Sequence, residues 1–254
     1  MGGRRVTRLA LQLYTVRDEC AADFPRALAR TASLGFEGVE LHDLHGRAPD
    51  EVRGLLDRHG LEACARHSLL EAVETDPEGL ARELEALGTD RLVVAWIPPP
   101  RTAREADTVV ARLVAAAERV AGLGVRLGFH NHDGELALLD DGSRMLDRLL
   151  TDDVTLFLEL DLGWAWYAGV DPFELVERAA GRVPLVHVKD LRRADGPTHV
   201  ALGDGEIDYE ALGASAAAAG VEWLVVEQDE TDGHGFEAVA RSVSHLLTLL
   251  EVPA

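Results

Sequence analysis

Short runs rich in β-branched and aliphatic residues alternate with stretches of helical period, and the alternation repeats eight times with no linker between units. The strand-like runs cover residues 9–16, 38–43, 62–69, 91–98, 126–133, 155–164, 183–191 and 222–230. Helix-like stretches lie at 23–34, 49–59, 77–87, 102–124, 142–152, from Pro172 onward, 209–220 and 236–250. Punctuation supports several boundaries. Pro25, Pro49, Pro77 and Pro172 fall in first turns, where the missing N–H has no helical partner to lose, and Gly35, Gly60 and Gly88 stand where a left-handed residue stops a helix. The longest stretch sets Val109, Val110, Leu113, Val114, Ala117 and Val120 at helical spacing.

Eight β/α units in 254 residues predict an α/β fold, a (β/α)8 TIM barrel forming a single domain over residues 1–254. Several runs are apolar nearly throughout, as parallel strands covered on both faces must be. A doubly wound sheet would not be expected to stop at eight units, and the chain has no GxGxxG fingerprint.

Bulk composition narrows the partners. A hydrophobic content of 47% supports a large core, and the net charge of −20 opposes binding to a polyanion, since nucleic-acid affinity depends on cations at phosphates. No run approaches the ~18 apolar residues that span a membrane, and the N-terminal residues do not have the form of a secretory signal. Two cysteines, Cys20 and Cys64, make no disulfide framework, so a cytoplasmic location is expected. Homo-oligomerisation is left open.

In a (β/α)8 barrel the chemistry sits at the C-terminal ends of the strands. Those ends are polar here. The second run ends in Glu40, His42 and Asp43, the third in Arg66 and His67, and the fifth in His130, Asn131 and His132. The sixth gives Glu159 and Asp161, followed by Trp164; the seventh gives His187, Lys189 and Asp190; the eighth gives Glu227, Gln228 and Asp229. A lone histidine is ordinarily a satisfied core or surface imidazole, but five of the ten at four strand ends converge on one surface. Residues two apart share a strand face, which pairs His130 with His132, Glu159 with Asp161, and His187 with Lys189. Lys189 is the sole lysine in a chain that otherwise uses arginine.

His130, Asp161, His187 and Glu227 form the best four-ligand set, with His132 an alternative on the fifth strand. Two imidazoles and two carboxylates suit one divalent ion among Mn, Mg, Co, Fe and Zn. The lack of cysteine ligands argues against a closed structural zinc site. An octahedral ion would keep positions for two substrate oxygens.

These segments resemble the xylose-isomerase-like TIM barrels, which include sugar and sugar-phosphate isomerases and epimerases. The resemblance covers almost the whole chain and is carried by FEGVELH (36–42), GFHNHDGE (128–135), LELDLGW (158–164), VPLVHVKD (183–190), LGDGEIDYEAL (202–212) and WLVVEQDE (223–230). It implies metal binding by strands five to eight through Glu, Asp, His and Glu. The last three match Asp161, His187 and Glu227, while His130 stands where the family has glutamate. That departure removes one of the two glutamates with which family epimerases exchange a proton on opposite faces of the substrate. The HxH pattern, the GDG turn and the VVEQD ending look closer to inosose dehydratase and related keto-sugar lyases. A likeness to endonuclease IV type nucleases is weaker, because Trp164 occupies the place of their DxGH histidine.

The resemblance implies an enzyme that removes a proton α to the carbonyl of a keto-sugar or polyol ketone, as an isomerase or epimerase. The alternative is β-elimination by an inosose dehydratase-type lyase, and a non-catalytic sugar-binding barrel is the reading of another class. Glu227 is the expected base, His132 or His67 the proton donor, and Lys189 a contact to a substrate oxygen or enolate. Glu40, His42, Asn131 and Trp164 are expected at the substrate, Asp190 as a supporting acceptor, and Glu206 on a loop turned toward the mouth. No phosphate-binding arrangement stands out, so the expected partner is an unphosphorylated small-molecule sugar or polyol.

Overall fold

The computed structural model describes residues 7–151, 155–194 and 196–251. The N-terminal leader reading on residues 1–6, the end of the helix-like stretch at residue 152, and the outermost bounds of the 1–254 domain lie outside the described residues. Among the described residues ten strands follow in chain order: β1 (Arg8–Gln12), β2 (Gly38–Leu41), β3 (Glu62–Ser68), β4 (Arg91–Val94), β5 (Arg126–His130), β6 (Phe157–Asp161), β7 (Leu185–Val188), β8 (Asp190–Arg192), β9 (Thr198–Val200) and β10 (Trp223–Val226). Eight of them close a parallel barrel in the order β1-β10-β7-β6-β5-β4-β3-β2, while β8 and β9 pair with each other outside it. The expected TIM barrel is the fold found.

Helices connect the barrel strands and bury aliphatic faces against them. The helix Ala103–Ala121, for instance, is capped by Thr102, whose side chain accepts the Glu105 N–H, and it buries Leu113, Ala117 and Val120. Most of the chain's leucines and valines lie in one continuous core, including Leu28, Leu56, Leu127, Leu158 and Val226. A second, smaller cluster fills the lower bore with Ala10, Cys64, Ala65, Val93, Phe157, Leu185, Trp223 and Val225. Two glycines make room for its rings. A Cβ on Gly38 would stand 2.7 Å from the Trp223 ring, and one on Gly128 would stand 2.2 Å from Phe157.

Moving two residues along the strands turns this apolar plug into polar groups. Ala10 gives way to Gln12, Gly38 to Glu40, Gly128 to His130, Phe157 to Glu159 and then Asp161, Leu185 to His187, and Val225 to Glu227. All of these replacements are buried. The register between β2 and β3 shifts between Val39 and Glu40, so Glu40 pairs with Ala65 rather than Cys64. The opposite end of the barrel is closed by paired surface charges, with Arg8 held 2.7 Å from Glu62 and stacked 4.1 Å above Trp223, and Arg126 held 2.8 Å from Asp90.

The strands are shorter than the runs that predict them. Leu13–Val16 is a 3-10 turn, and the first helix already begins at Arg17. That helix breaks at Asp23, which has extended backbone and accepts the Arg26 N–H, so the predicted start near Pro25 is a second helix start within one rod. A short helix at Leu70–Thr75 follows the third run, and another at Leu162–Tyr167 begins within the sixth run, whose last three residues, 162–164, are helical instead of extended. The run 183–191 splits into β7 and β8, and Thr198–Val200, outside every strand-like run, forms β9, which pairs with β8 as an antiparallel hairpin. Among the described residues no helix is long and apolar enough to cross a membrane.

Candidate active site

The ends of β5, β6, β7 and β10 bring donor atoms of His130, Asp161, His187 and Glu227 within 4.8 Å of one another. A second set, His67, His130, Glu159 and His187, meets the same criterion and shares two members with the first. The two form adjoining layers of one buried cluster. In the upper layer, His187 Nδ1 lies 2.8 Å from Glu227 Oε2 and His130 Nε2 lies 3.8 Å from Asp161 Oδ2. In the lower layer, His187 Nε2 lies 2.7 Å from Glu40 Oε2 and His67 Nε2 lies 2.7 Å from Glu159 Oε2. Gln12 Nε2 donates to Glu40 Oε2 at 2.8 Å and lies 3.3 Å from His67 Nδ1.

Lys189 packs against the upper layer of this cluster. Its stem passes Gly163, where a Cβ would stand 2.4 Å from Lys189 Cγ. Its Nζ lies 2.8 Å from Asp161 Oδ2, 2.8 Å from Glu227 Oε2 and 2.9 Å from Asp229 Oδ1. A buried ammonium with three carboxylate neighbours stays charged: its pKa is well above the ordinary value, against the burial that would lower it. The same pairing holds Glu227 well below the usual carboxylate range despite burial, with His187 adding to Lys189. Asp161 moves the other way, pushed up to about 6 by burial that Lys189 and His187 only partly offset.

The histidines divide into two electrostatic classes. Burial is opposed at His67 by Glu40 and Glu159, which hold it up at about 10, and at His187 by Glu159, Glu227 and Glu40, which raise it well above its ordinary value. His130 is pushed well below by burial, with His187 and His132 adding to the effect. His132 falls to about 4, from burial and then the nearby Lys189, and His42 falls to about 4, from burial and then His45. His132 and His42 are therefore neutral at pH 7, and the Nδ1 of each is buried without a hydrogen-bond partner.

Above the cluster opens a cavity of about 650 Å³. His67, His130, His132, Glu227, Asp229 and Trp164 line its polar side, while Tyr14, His42, Leu69, Ala72, Ala95 and Trp96 line much of the remainder. His132 is fixed by its backbone N–H, which donates to Glu135 Oε2 at 2.8 Å, and its ring lies 5.0 Å from His130 and 5.7 Å from Trp164.

Of the residues expected at the substrate, His42 and Trp164 line the cavity, but Glu40 and Asn131 do not. Glu40 is turned into the bore by its bonds to Gln12 and His187. Asn131 braces β5 to β6, its Oδ1 accepting the Asp161 N–H at 3.1 Å. Lys189, expected at a substrate oxygen, is also outside the lining, its ammonium spent on three carboxylates. Asp190 supports the GDG turn: it accepts N–H groups of Leu191, Gly203, Gly205 and Ile207. Gly205 is required there, since a Cβ would fall 2.0 Å from Asp190 Oδ1. Glu206, expected to face the mouth, lines a separate depression with Trp166 and Arg193.

Two residues at the site escaped the sequence reading of roles. Asp229 anchors Lys189, and its spacing from Glu227 on one strand face was the available signal. His199 on β9 lies 3.5 Å from Asp229 and 5.5 Å from the Trp164 ring, and nothing local in a glycine-punctuated segment marks it.

The cluster suits a divalent cation on its own chemistry. Its donors are imidazole nitrogens and carboxylate oxygens, and Glu40, Glu159, Asp161 and Glu227 are all buried with Lys189 as the only lysine among them. Glu40 Oε1, Glu159 Oε1 and His130 Nδ1 are buried and lack hydrogen bonds. Buried charge on this scale needs further cations or bound protons to balance it.

Comparison with known proteins identifies the family of the fold. An inosose dehydratase of Geobacillus kaustophilus is 29% identical to the chain, with 87% of the chain and 88% of that protein aligned. The rhizopine catabolism protein MocC of Rhizobium meliloti is also 29% identical, over 85% of the chain and 79% of that protein. A crystal structure of a sugar phosphate isomerase/epimerase from Parabacteroides distasonis superposes with a TM-score of 0.83 at 20% identity, covering 97% of the chain and 99% of that structure. The model of the xylose isomerase-like TIM barrel family matches residues 28–249, and with eight parallel strands closed around a polar mouth the chain belongs to that family.

Proposed function

We propose that the protein is a divalent-metal-dependent enzyme that removes the proton α to the ketone of an unphosphorylated keto-sugar or polyol ketone and then expels the β-substituent, as a lyase. The observation that carries this reading is the convergence of His130, Asp161, His187 and Glu227 beneath a cavity that also presents a neutral histidine, His132. The relatives named inosose dehydratase support elimination over proton return. Isomerisation or epimerisation is the second reading, favoured by the fold shared with a sugar phosphate isomerase/epimerase and opposed by His130 in place of a second glutamate on β5.

His130, Asp161, His187 and Glu227 would hold the ion. A divalent cation bound there supplies Lewis-acid polarisation of a carbonyl oxygen. Glu227, kept ionised by Lys189 and His187, is better suited to holding charge than to accepting a proton, so we assign the proton transfer to His132. Its neutral imidazole takes the α-proton; the C–H electrons become the enolate, and their return expels the β-oxygen, which receives that same proton from the His132 imidazolium. The lowered pKa of His132 helps the second half, because burial, and after it Lys189, disfavours the imidazolium. His67, locked between Glu40 and Glu159, keeps its proton and positions the lower layer. Trp164 shields the ring of His132 on one side.

The test is incubation of metal-loaded protein with a panel of inososes and keto-sugars in heavy water. Growth of an unsaturated ketone that has lost its α-hydrogen and gained no deuterium there supports the lyase. Deuterium entry with a rearranged sugar and no unsaturated product transfers the protein to the isomerase reading. Neither exchange nor elimination with any ketone rejects the enzyme reading in favour of sugar binding.

A further inference from the structure

The cavity has two unlike halves. Over β5 to β10 it presents His130, His132, Glu227 and Asp229; over β1, β3 and β4 it presents Tyr14, Leu69 and Trp96. Those three side chains are 41%, 53% and 50% exposed and are half of the six large hydrophobics left exposed among the described residues. Scattered apolar residues on a surface need no explanation, but three lining one side of a single cavity do.

The apolar half is preformed. Trp96 precedes buried Ile97 and the rigid Pro98–Pro100 segment. Pro99 packs where a Cβ on Gly134 would stand, 2.5 Å from its own Cβ, which ties this segment to the loop that carries His132. Leu69 caps the helix Leu70–Thr75, anchored by buried Leu70 and Val73. Tyr14 is covered on one face by the Arg17 guanidinium at 4.3 Å and stands edge-on to His42.

Size and charge narrow what rests there. Even at the ~30 Å³ a water takes in the liquid, a sugar of about a dozen non-hydrogen atoms fills roughly half of the 650 Å³ cavity. A phosphate would want a cation, but the cavity's arginine, Arg66, is paired with Glu83 at 2.8 Å and donates to the His42 carbonyl at 2.8 Å. Flat apolar surface beside a polar floor fits an amphipathic ligand, with the aromatic side chains favouring stacking.

Resting on the proposed reaction, we infer that the natural substrate is a ketone-bearing sugar with an aromatic or similarly flat apolar substituent, the sugar over His130 and His132 and the substituent on the shelf of Tyr14, Leu69 and Trp96. The probes are matched keto-glycosides that carry a phenyl or a methyl group, measured by calorimetry and by deuterium exchange on metal-loaded protein. The phenyl compound should bind at least tenfold tighter. Trp96→Ala should remove most of that advantage while changing methyl-compound affinity less than twofold, and Leu69→Ser should act in the same direction if the tryptophan variant fails to fold. Equal affinity for the two compounds, or equal loss for both in the variants, overturns the inference. So does sedimentation showing that Trp96→Ala turns a dimer into a monomer while the phenyl preference is intact, which would make the shelf a subunit contact. A Trp96-dependent phenyl preference with neither deuterium exchange nor elimination keeps the shelf and rejects the reaction. Exchange without preference does the reverse.

Discussion

The lower and upper halves of the barrel bore are built by the same strands, two residues apart, and they solve opposite problems. Below, Trp223 and Phe157 fill the volume, with Gly38 and Gly128 cut away to admit their rings, among apolar neighbours such as Ala10, Val93 and Val225. Above, Glu40, Glu159, Asp161 and Glu227 share the space with His67, His130, His187 and Lys189, and several of their polar atoms remain without hydrogen bonds. The lower half is packed for itself. In the upper half, contacts among side chains leave donors and negative charge unspent, which is what a ligand site requires. Stability and chemistry are thus stacked along one axis, and substitutions should sort by height in the bore.

The largest effect should come from the upper layer. His130→Ala and Glu227→Ala should each abolish retention of a divalent ion and lower turnover on any accepted ketone by at least about a thousandfold, a scale reached when one electrostatic or proton-transfer group is removed. Elemental analysis beside the rate measurement checks this, and a variant that keeps both its ion and its activity breaks the four-residue assignment. His132→Ala sharpens it: the ion should stay while α-proton exchange falls by about 10²–10⁴.

Lys189→Met comes next. It leaves Asp161, Glu227 and Asp229 without their common cation, a loss of about 3–5 kcal/mol in metal-free protein. Denaturant melts should also show a larger gain from added metal in the variant than in the parent, because the ion then meets carboxylates relieved of a competitor. In the lower layer, Gly128→Ala drives a methyl group into the Phe157 ring and should destabilise by about 1–3 kcal/mol. Activity per folded molecule should hold, and a large loss at unchanged stability would show that the two halves are not separable.

The smallest expected signal is at the cysteines. Burial pushes the Cys20 thiol up to about 12 and the Cys64 thiol well above its ordinary value. A raised thiol pKa means that thiolate is scarce below it, so at pH 8 neither should react with a disulfide reagent until the protein unfolds. Prompt labelling of Cys64 would show that the lower bore opens.

The fold was legible because hydrophobic period and helix punctuation recur eight times, and repetition compensates for imprecise boundaries at any one unit. Strand-end position was also enough to collect His130, Asp161, His187 and Glu227, since alternation assigns a residue to a face. It does not say what that residue is already bonded to. Glu40, Asn131 and Lys189 sit at the expected ends, yet each is consumed by a neighbour from another strand, a fact held in partners at separations such as the 147 residues between Glu40 and His187. The β8–β9 hairpin was hidden for a related reason, its second strand being three residues in a glycine-rich stretch.

The seam between β1 and β10 has a kinetic consequence. Those strands join the two ends of the chain, with the Gln228 N–H donating to Thr15 and Arg17 donating to the Asp229 carbonyl across it. Contacts so distant in sequence form late, because loop closure must precede any gain from them. Until the seam shuts, Glu227 and Asp229 stay hydrated and apart from Gln12 and Glu40. Ion capture should therefore follow the last slow folding phase, making metal uptake a clock for completion of the barrel.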